Sequence, residues 1–225
     1  AGALNGGVRP NLLVIHFSRF NGGGIAHVGL SGGGLIENNK IIFNEVAFGG
    51  AAFSDGAGIY IGGDQLLGVL SAGTGTVTIN ANLIQGNLAG VGSGGGIRAS
   101  SVNGQDVLAA PGNPAAWYGL VITNNMIVNN VAGYTGGGIA LQDVARASII
   151  SNTITSNDST ATAANAFLAG AADSTPQPAG IVSNVHSVLL TAATNTTQTF
   201  SNPLLDSNII WFNRSFYTTN GGAGG

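Results

Sequence analysis

One phrase recurs five times along this chain: an aliphatic residue, Asn three positions later, Ile two positions after that, and Asn three further on. The copies are Ile36/Asn39/Ile41/Asn44, Ile79/Asn82/Ile84/Asn87, Ile122/Asn125/Ile127/Asn130, Ile149/Asn152/Ile154/Asn157 and Leu205/Asn208/Ile210/Asn213. Four positions held through five copies are the mark of a solenoid, in which each repeat buries its apolar face only against its neighbours. A second landmark precedes most copies: a glycine cluster ending in Ile at residues 22–25, 56–59, 94–97 and 136–139, echoed by Ala179, Gly180 and Ile181. The two landmarks alternate. Each repeat therefore reads as a glycine corner, a strand, an aliphatic strand into the first Asn and an Ile strand into the second. The reading is an all-β parallel β-helix of three sheets and about five to six coils. Short alternating runs such as Val77-Thr78-Ile79 support strands, and nothing carries a sustained helical period with caps. An Ala/Thr-rich stretch at residues 159–168 fits either a short helix or a polar loop.

The spacing between first Asn residues is 43, 43, 27 and 56, so the shortest coil has 27 residues and the others carry insertions. From the glycine-corner Ile to the next Asn takes 13 steps in the shortest coil, but 23 after Ile59, 28 after Ile97 and 27 after Ile181. The largest excursions, residues 60–78, 98–121 and 182–207, thus leave from one corner. Insertions gathered on one edge of a solenoid commonly make its binding face.

Each repeat Ile is expected to point inward and stack on its counterpart about 4.8 Å away in the next coil. The column Asn39, Asn82, Asn125, Asn152 and Asn208 is expected to form an amide ladder between coils, since an amide both donates and accepts and Asn tolerates corner backbone angles. Glycines supply positive φ and close backbone approach. Neither a dinucleotide fingerprint nor a P-loop lysine accompanies them, which argues against phosphate binding.

The phrases ENNKIIFN, NANLIQGN, TNNMIVNN, ISNTITSN and DSNIIWFN, each behind its glycine corner, resemble the repeats of the pectin-lyase-like right-handed β-helix proteins over about residues 20–215. The resemblance implies a right-handed coil, an extracellular or cell-surface location of the bacterial secreted kind, and a role around polysaccharide as enzyme, adhesin or structural protein. It selects no activity among these.

Lyases of that class use an Arg or Lys base beside carboxylates, and hydrolases use several Asp on adjacent strands. Here the seven Asp are scattered, and the hydrolase motifs built on Asn-Thr-Asp, Asp-Asp and Gly-His-Gly are missing. Arg98, Asp143 and Arg146 are the catalytic candidates, able to meet on one outer sheet. A surface ion pair is the preferred reading of that trio, and such pairs contribute about 0–1 kcal/mol. His16, His27 and His186 stand far apart in coil order, so no metal site is expected, and no cofactor motif is present.

Binding candidates are Tyr60 and Arg98, which share the position after the glycine corner, and Asp106, Trp117 and Tyr118 on the excursion carrying Pro111 and Pro114. Trp and Tyr can stack on a sugar or anchor an interface, or can fold back to cover the end of a sheet. Covering is the first reading.

Charged residues make up only 7% of the chain, against about 25% in ordinary soluble domains, so Gly, Asn, Ser and Thr must supply the polar surface. Such a surface protects poorly against association. Self-association or protein partners along the sides, and a place outside the cytosol, are expected. A net charge of −3 with no basic patch argues against nucleic acid, and no apolar run approaches the roughly 18 residues of a spanning helix. With no Cys there are no disulfides. Residues 1–225 read as one domain. Lacking a starting Met, and ending in a glycine-rich tail at 221–225 too small to cover an open coil, it is expected to be a segment of something longer. The expected function is a non-enzymatic scaffold or adhesive module making protein or glycan contacts, with a lyase-like enzyme or a carbohydrate-binding module as the alternatives.

Overall fold

The computed structural model describes residues 6–47, 54–64, 68–194 and 198–219; the 221–225 tail lies outside them. The chain is a parallel β-helix. Four sheets run along it, three of six strands and one of five, and every strand pairs in parallel with its counterpart one coil away. The three strands expected per coil are joined by a fourth. The extra strand is only two residues long, as at Glu45–Val46, Leu88–Ala89, Val131–Ala132 and Asp158–Ser159. Two residues cannot display alternation, and no residue type is common to all four pairs, which is why no sequence pattern marks this sheet.

The first sheet holds the strands before the first Asn, such as Ile36's Gly34–Glu37, and the second holds those before the second Asn, such as Lys40–Ile42. The two-residue strands form the third sheet, and the strands after the glycine corners, such as Ile97–Ser100, form the fourth. The register is the one the repeat demands. Ile36, Ile79, Ile122, Ile149 and Leu205 pair in one column, and Ile41, Ile84, Ile127, Ile154 and Ile210 in another. All but Leu205 and Ile210 fill the interior and belong to one continuous core with Ile25, Ile59, Ile97 and Ile139 of the fourth sheet. In the sixth coil, which no described coil follows, Leu205 and Ile210 remain 49% and 46% exposed.

A sixth copy of the phrase stands at the start. Val8, Asn11, Leu13 and His16 keep the spacing, with His in the final place, and Val8 and Leu13 pair with Ile36 and Ile41. His16 obscured the pattern. Its backbone N–H still donates to Asn44 Oδ1 at 3.1 Å.

The asparagines form two ladders. The two protons of Asn125 Nδ2 are shared among three acceptors, Asn152 Oδ1 at 3.0 Å and the carbonyls of Ile79 and Thr123 at 2.9 Å each. Its own Oδ1 accepts from the backbone N–H and from Nδ2 of Asn82, both at 2.9 Å. The same bonds connect Asn39 to Asn82 and Asn152 to Asn208, and a parallel ladder runs from Asn44 through Asn87, Asn130 and Asn157 to Asn213. One detail differs from expectation: the ladder residue is not the one with left-handed backbone. Its predecessor is, at Asn38, Ala81, Asn124, Ser151 and Ser207, each with φ between 53° and 57°. The chain turns there, and the next residue, outside the left-handed region, aims its amide at the neighbouring coils.

Glycine is required where coils touch backbone to backbone. A Cβ on Gly96 would sit 2.7 Å from the Gly138 carbonyl oxygen, and one on Gly138 would sit 2.5 Å from that of Gly180. No side chain fits between these corners.

Candidate functional site

The three long connections do leave from the corner between the fourth sheet and the next first sheet. They contain two short helices absent from the sequence reading, α1 (Gln105–Ala109) and α2 (Val188–Thr194), and a 3-10 turn at Pro114–Ala116. Helices this short have no periodicity to read, and they owe their stability to packing. Val107 and Trp117 pack with Leu190 and Ala193, and Leu70 lies against them, so all three excursions share one satellite core. Of residues 159–168, Ser159 ends its two-residue strand and the rest is loop with a single 3-10 turn at Ala164–Ala166.

This core settles where the excursion's candidates sit. Trp117 is 4% exposed, and its Nε1 donates to the Ala110 carbonyl at 2.8 Å. Asp106 ties the loop together, accepting from Asn103 Nδ2 and from the backbone N–H groups of Gly104 and Tyr118, all at 2.7 Å. Both residues build the wall. Tyr118 joins them through that backbone bond.

Between this wall and the corner leading into the fourth sheet lies a groove of about 820 Å³. Its floor is the outer face of the fourth sheet. Outward positions alternate with the buried Ile and Ala of the core, so Tyr60 and Arg98, paired in register, both face the groove. The floor is not an exposed row, however, because the two walls cover it: Tyr60 and Arg98 are each 6% exposed. Glycine at 62 makes room for the aromatic ring, since a Cβ there would run into Tyr60.

Arg98 is the centre of the site. Its Nε lies 3.4 Å from Asp55 Oδ2, and its Nη2 donates to Gln142 Oε1 at 2.5 Å. Nε, despite that approach, and Nη1 are both buried and have no hydrogen-bond partner among the described residues. Asp55 is held in turn by Ser93, whose backbone N–H donates to Oδ1 at 2.7 Å, while its own N–H donates to Asn21 Oδ1. Tyr60 is a neutral neighbour to this pair. Burial, and then the Asp55 charge, raise its phenol above the ordinary 10.0, against the opposing influence of Arg98 and a hydrogen bond with Asn21.

Asp143 also lines the groove, at the αL turn after the fourth-sheet strand, but it faces a different partner. His186 Nδ1 lies 3.5 Å from Asp143 Oδ1, and the Ser187 N–H donates to that oxygen at 2.7 Å. Burial pushes this carboxyl up, yet His186 and the Ser187 hydrogen bonds outweigh it and leave it below the usual 3.8. Arg146 turns away, donating from Nη1 to the Trp117 carbonyl at 2.9 Å. Arg98, Asp143 and Arg146 therefore do not meet as a trio. Arg98 pairs one coil back with Asp55.

Asp55, Gln142 and His186 were not among the sequence candidates. For Asp55 a signal existed: it stands directly before the corner glycine Gly56, as Ser93 stands before Gly94, and Gly56 N–H donates to the Ser93 carbonyl across the coils. Columns on both sides of the glycine corner, compared coil against coil, would have put Asp55 beside the residue after the next corner. His186 lies on an excursion outside the repeat, where no column exists.

The groove carries three carboxylates, Asp55, Asp64 and Asp143, against one guanidinium. Side-chain amides and hydroxyls of Asn21, Asn165, Asn184 and Ser71 complete its polar lining, and Tyr134 and Val91 supply apolar surface. Among the described residues no group of three or more His, Cys, Asp or Glu could hold a metal ion, and no helix is long and apolar enough to cross a membrane. The two ladders and the groove define a parallel β-helix solenoid with one loop-walled face. No family model, curated protein or solved structure matches the chain.

Proposed function

We propose that this chain is a non-enzymatic β-helix module of an extracellular or cell-surface protein, of the pectin-lyase-like kind, that holds a glycan or protein partner in the groove over its fourth sheet. The observation that carries this reading is Arg98. Its charge is already matched by Asp55, which suits it to donating hydrogen bonds rather than to taking up a substrate proton, while Nη1 is a buried donor left for an acceptor from outside the chain. Buried unpaired donors in native proteins call for an explanation, and a ligand acceptor is one.

The sides of the solenoid support the associative half of the reading. Leu12, Met126, Ile209 and Trp211, all on second-sheet strands, are more than half exposed, on a chain with few charges. Self-association or a partner would cover them. Light scattering at low salt should find oligomers, and a clean monomer counts against this half.

The enzymatic rival draws on Arg98 with the groove's carboxylates Asp55 and Asp143. Incubation with uronate and neutral polysaccharides separates the two readings: binding without new unsaturated-product absorbance or new reducing ends is expected. Robust turnover lost on Arg98→Ala would overturn the scaffold reading.

A further inference from the structure

We infer that the groove takes an uncharged, polyhydroxylated ligand, a short neutral oligosaccharide, and turns acidic sugars away; this rests on the groove being the contact face proposed above. The chemistry of Arg98 Nη1 leads to it. A buried guanidinium N–H needs an acceptor, and a free arginine would accept one with a negative charge. Here Asp55 Oδ2 already stands 3.4 Å from Nε, so the pair is close to neutral and a hydroxyl oxygen completes the hydrogen bonding at no further charge cost.

The carboxylates point the same way. Asp64 and Asp143 share the groove with Asp55 and have no second guanidinium among its lining residues. A ligand carboxylate would become the fourth anion around one engaged cation, inside walls that focus the field. Ligand hydroxyls reverse that effect, because an ionised carboxylate is an acceptor and each hydroxyl carries a proton to donate. Tyr134 and Val91 give the C–H face of a sugar ring an apolar surface, the usual division of labour in a small-molecule site. At about 820 Å³ the groove lies within the ordinary range of roughly 300–1,000 Å³ for such sites.

Calorimetric titration of the intact chain tests this, with uncharged xylo-, manno- and gluco-hexaoses and with hexagalacturonate, in chelator and about 0.15 M salt. At least one neutral probe should bind, at least about tenfold more tightly than the acid. The double variant Asp55→Asn/Arg98→Met removes both charges together and should weaken that probe at least about tenfold. Asp64→Lys changes an exposed residue, leaves the fold intact and should narrow the neutral-to-acid gap by at least about threefold. If the double variant does not fold, Asp64→Lys decides alone.

Acid binding as tight as neutral binding overturns the inference and leaves the contact face standing. Neutral binding untouched by every variant places the sugar elsewhere and overturns it too. Binding of no sugar of either class removes both the inference and the glycan half of the proposed function, leaving the protein-partner half.

Discussion

The asparagine ladders and the Arg98 groove are two buried polar regions of the same coils, and they close their hydrogen bonding in opposite ways. In the ladders the amides are saturated, mostly by the neighbouring coil: Asn125 Nδ2 shares its two protons among three acceptors, and its Oδ1 accepts two bonds. In the groove two buried nitrogens of Arg98, Nε and Nη1, have no hydrogen-bond partner among the described residues, and Nη1 has not even a nearby carboxylate. A saturated network holds a structure in one arrangement; an unsaturated one, if nothing else demands it, is a cost that a ligand can relieve. The repeat is thus where the protein is finished, and the groove is where it is not.

The sharpest way to break this contrast is to remove one charge from the groove. Asp55→Ala leaves Arg98 buried and unpaired and should cost about 4 kcal/mol in chemical denaturation, whereas Asp55→Asn/Arg98→Met should cost under about 1 kcal/mol. Equal losses would mean that the pair does not act as a unit. Next is the ladder itself. Asn125→Ala orphans the Asn82 backbone N–H, strips Asn82 Nδ2 of one acceptor, leaves the Ile79 carbonyl and Asn152 Oδ1 without the Asn125 amide, and should cost about 3 kcal/mol. Asn208→Ala, at a partly exposed rung where water can substitute, should cost about 1 kcal/mol, and Asn39→Ala should fall between them. Identical thermal midpoints for the three would refute a ladder that depends on neighbours.

Trp117→Phe deletes the bond to Ala110 and part of the satellite core, for about 1.5 kcal/mol. Its effect should stay local: hydrogen exchange should quicken in α1 and α2 and leave the ladder amides slow. Spread into the ladders would show that wall and solenoid unfold together.

The smallest effects are those of pH, and they have opposite signs at the two ends of the scale. Tyr60 has its native pKa raised, so its contribution is full below pH 10.0 and is lost as pH rises through the native value. Tyr60→Phe should flatten the alkaline fall in thermal midpoint. Asp143 has its native pKa lowered, so its contribution is present above 3.8 and is lost as pH falls through the native value. Asp143→Asn should flatten the acid limb. Slopes unchanged in both variants would detach these groups from the groove's stability.

The contrast also explains what could be read in advance. Core, corner and ladder were legible because each contributes one residue type at one spacing per coil, and stacking repeats that demand five times over. The first coil escaped because His16 replaces the last Asn, although its backbone N–H makes the same bond. The third sheet escaped because two-residue strands carry no alternation. The excursions were located by counting, but their contents were not: Asp106 was a binding candidate and is tied into the turn at Gly104, while Trp117, a binding candidate whose first reading was covering, packs against α2.

By itself, then, the sequence determined the coil: which side chains point inward, which amides stack, and which corner carries the long connections. These follow from local periodicity, and a solenoid converts period directly into contact. Only the tertiary structure decided that Arg98 meets Asp55 and Gln142 rather than Asp143 and Arg146, and that the walls bury Tyr60. Asp55 and Gln142 lie on the coils either side of Arg98, at places the register fixes, but which neighbours its guanidinium turns to is set by side-chain packing. The burial of Tyr60 depends on how connections of unequal length pack, which no spacing along the chain encodes.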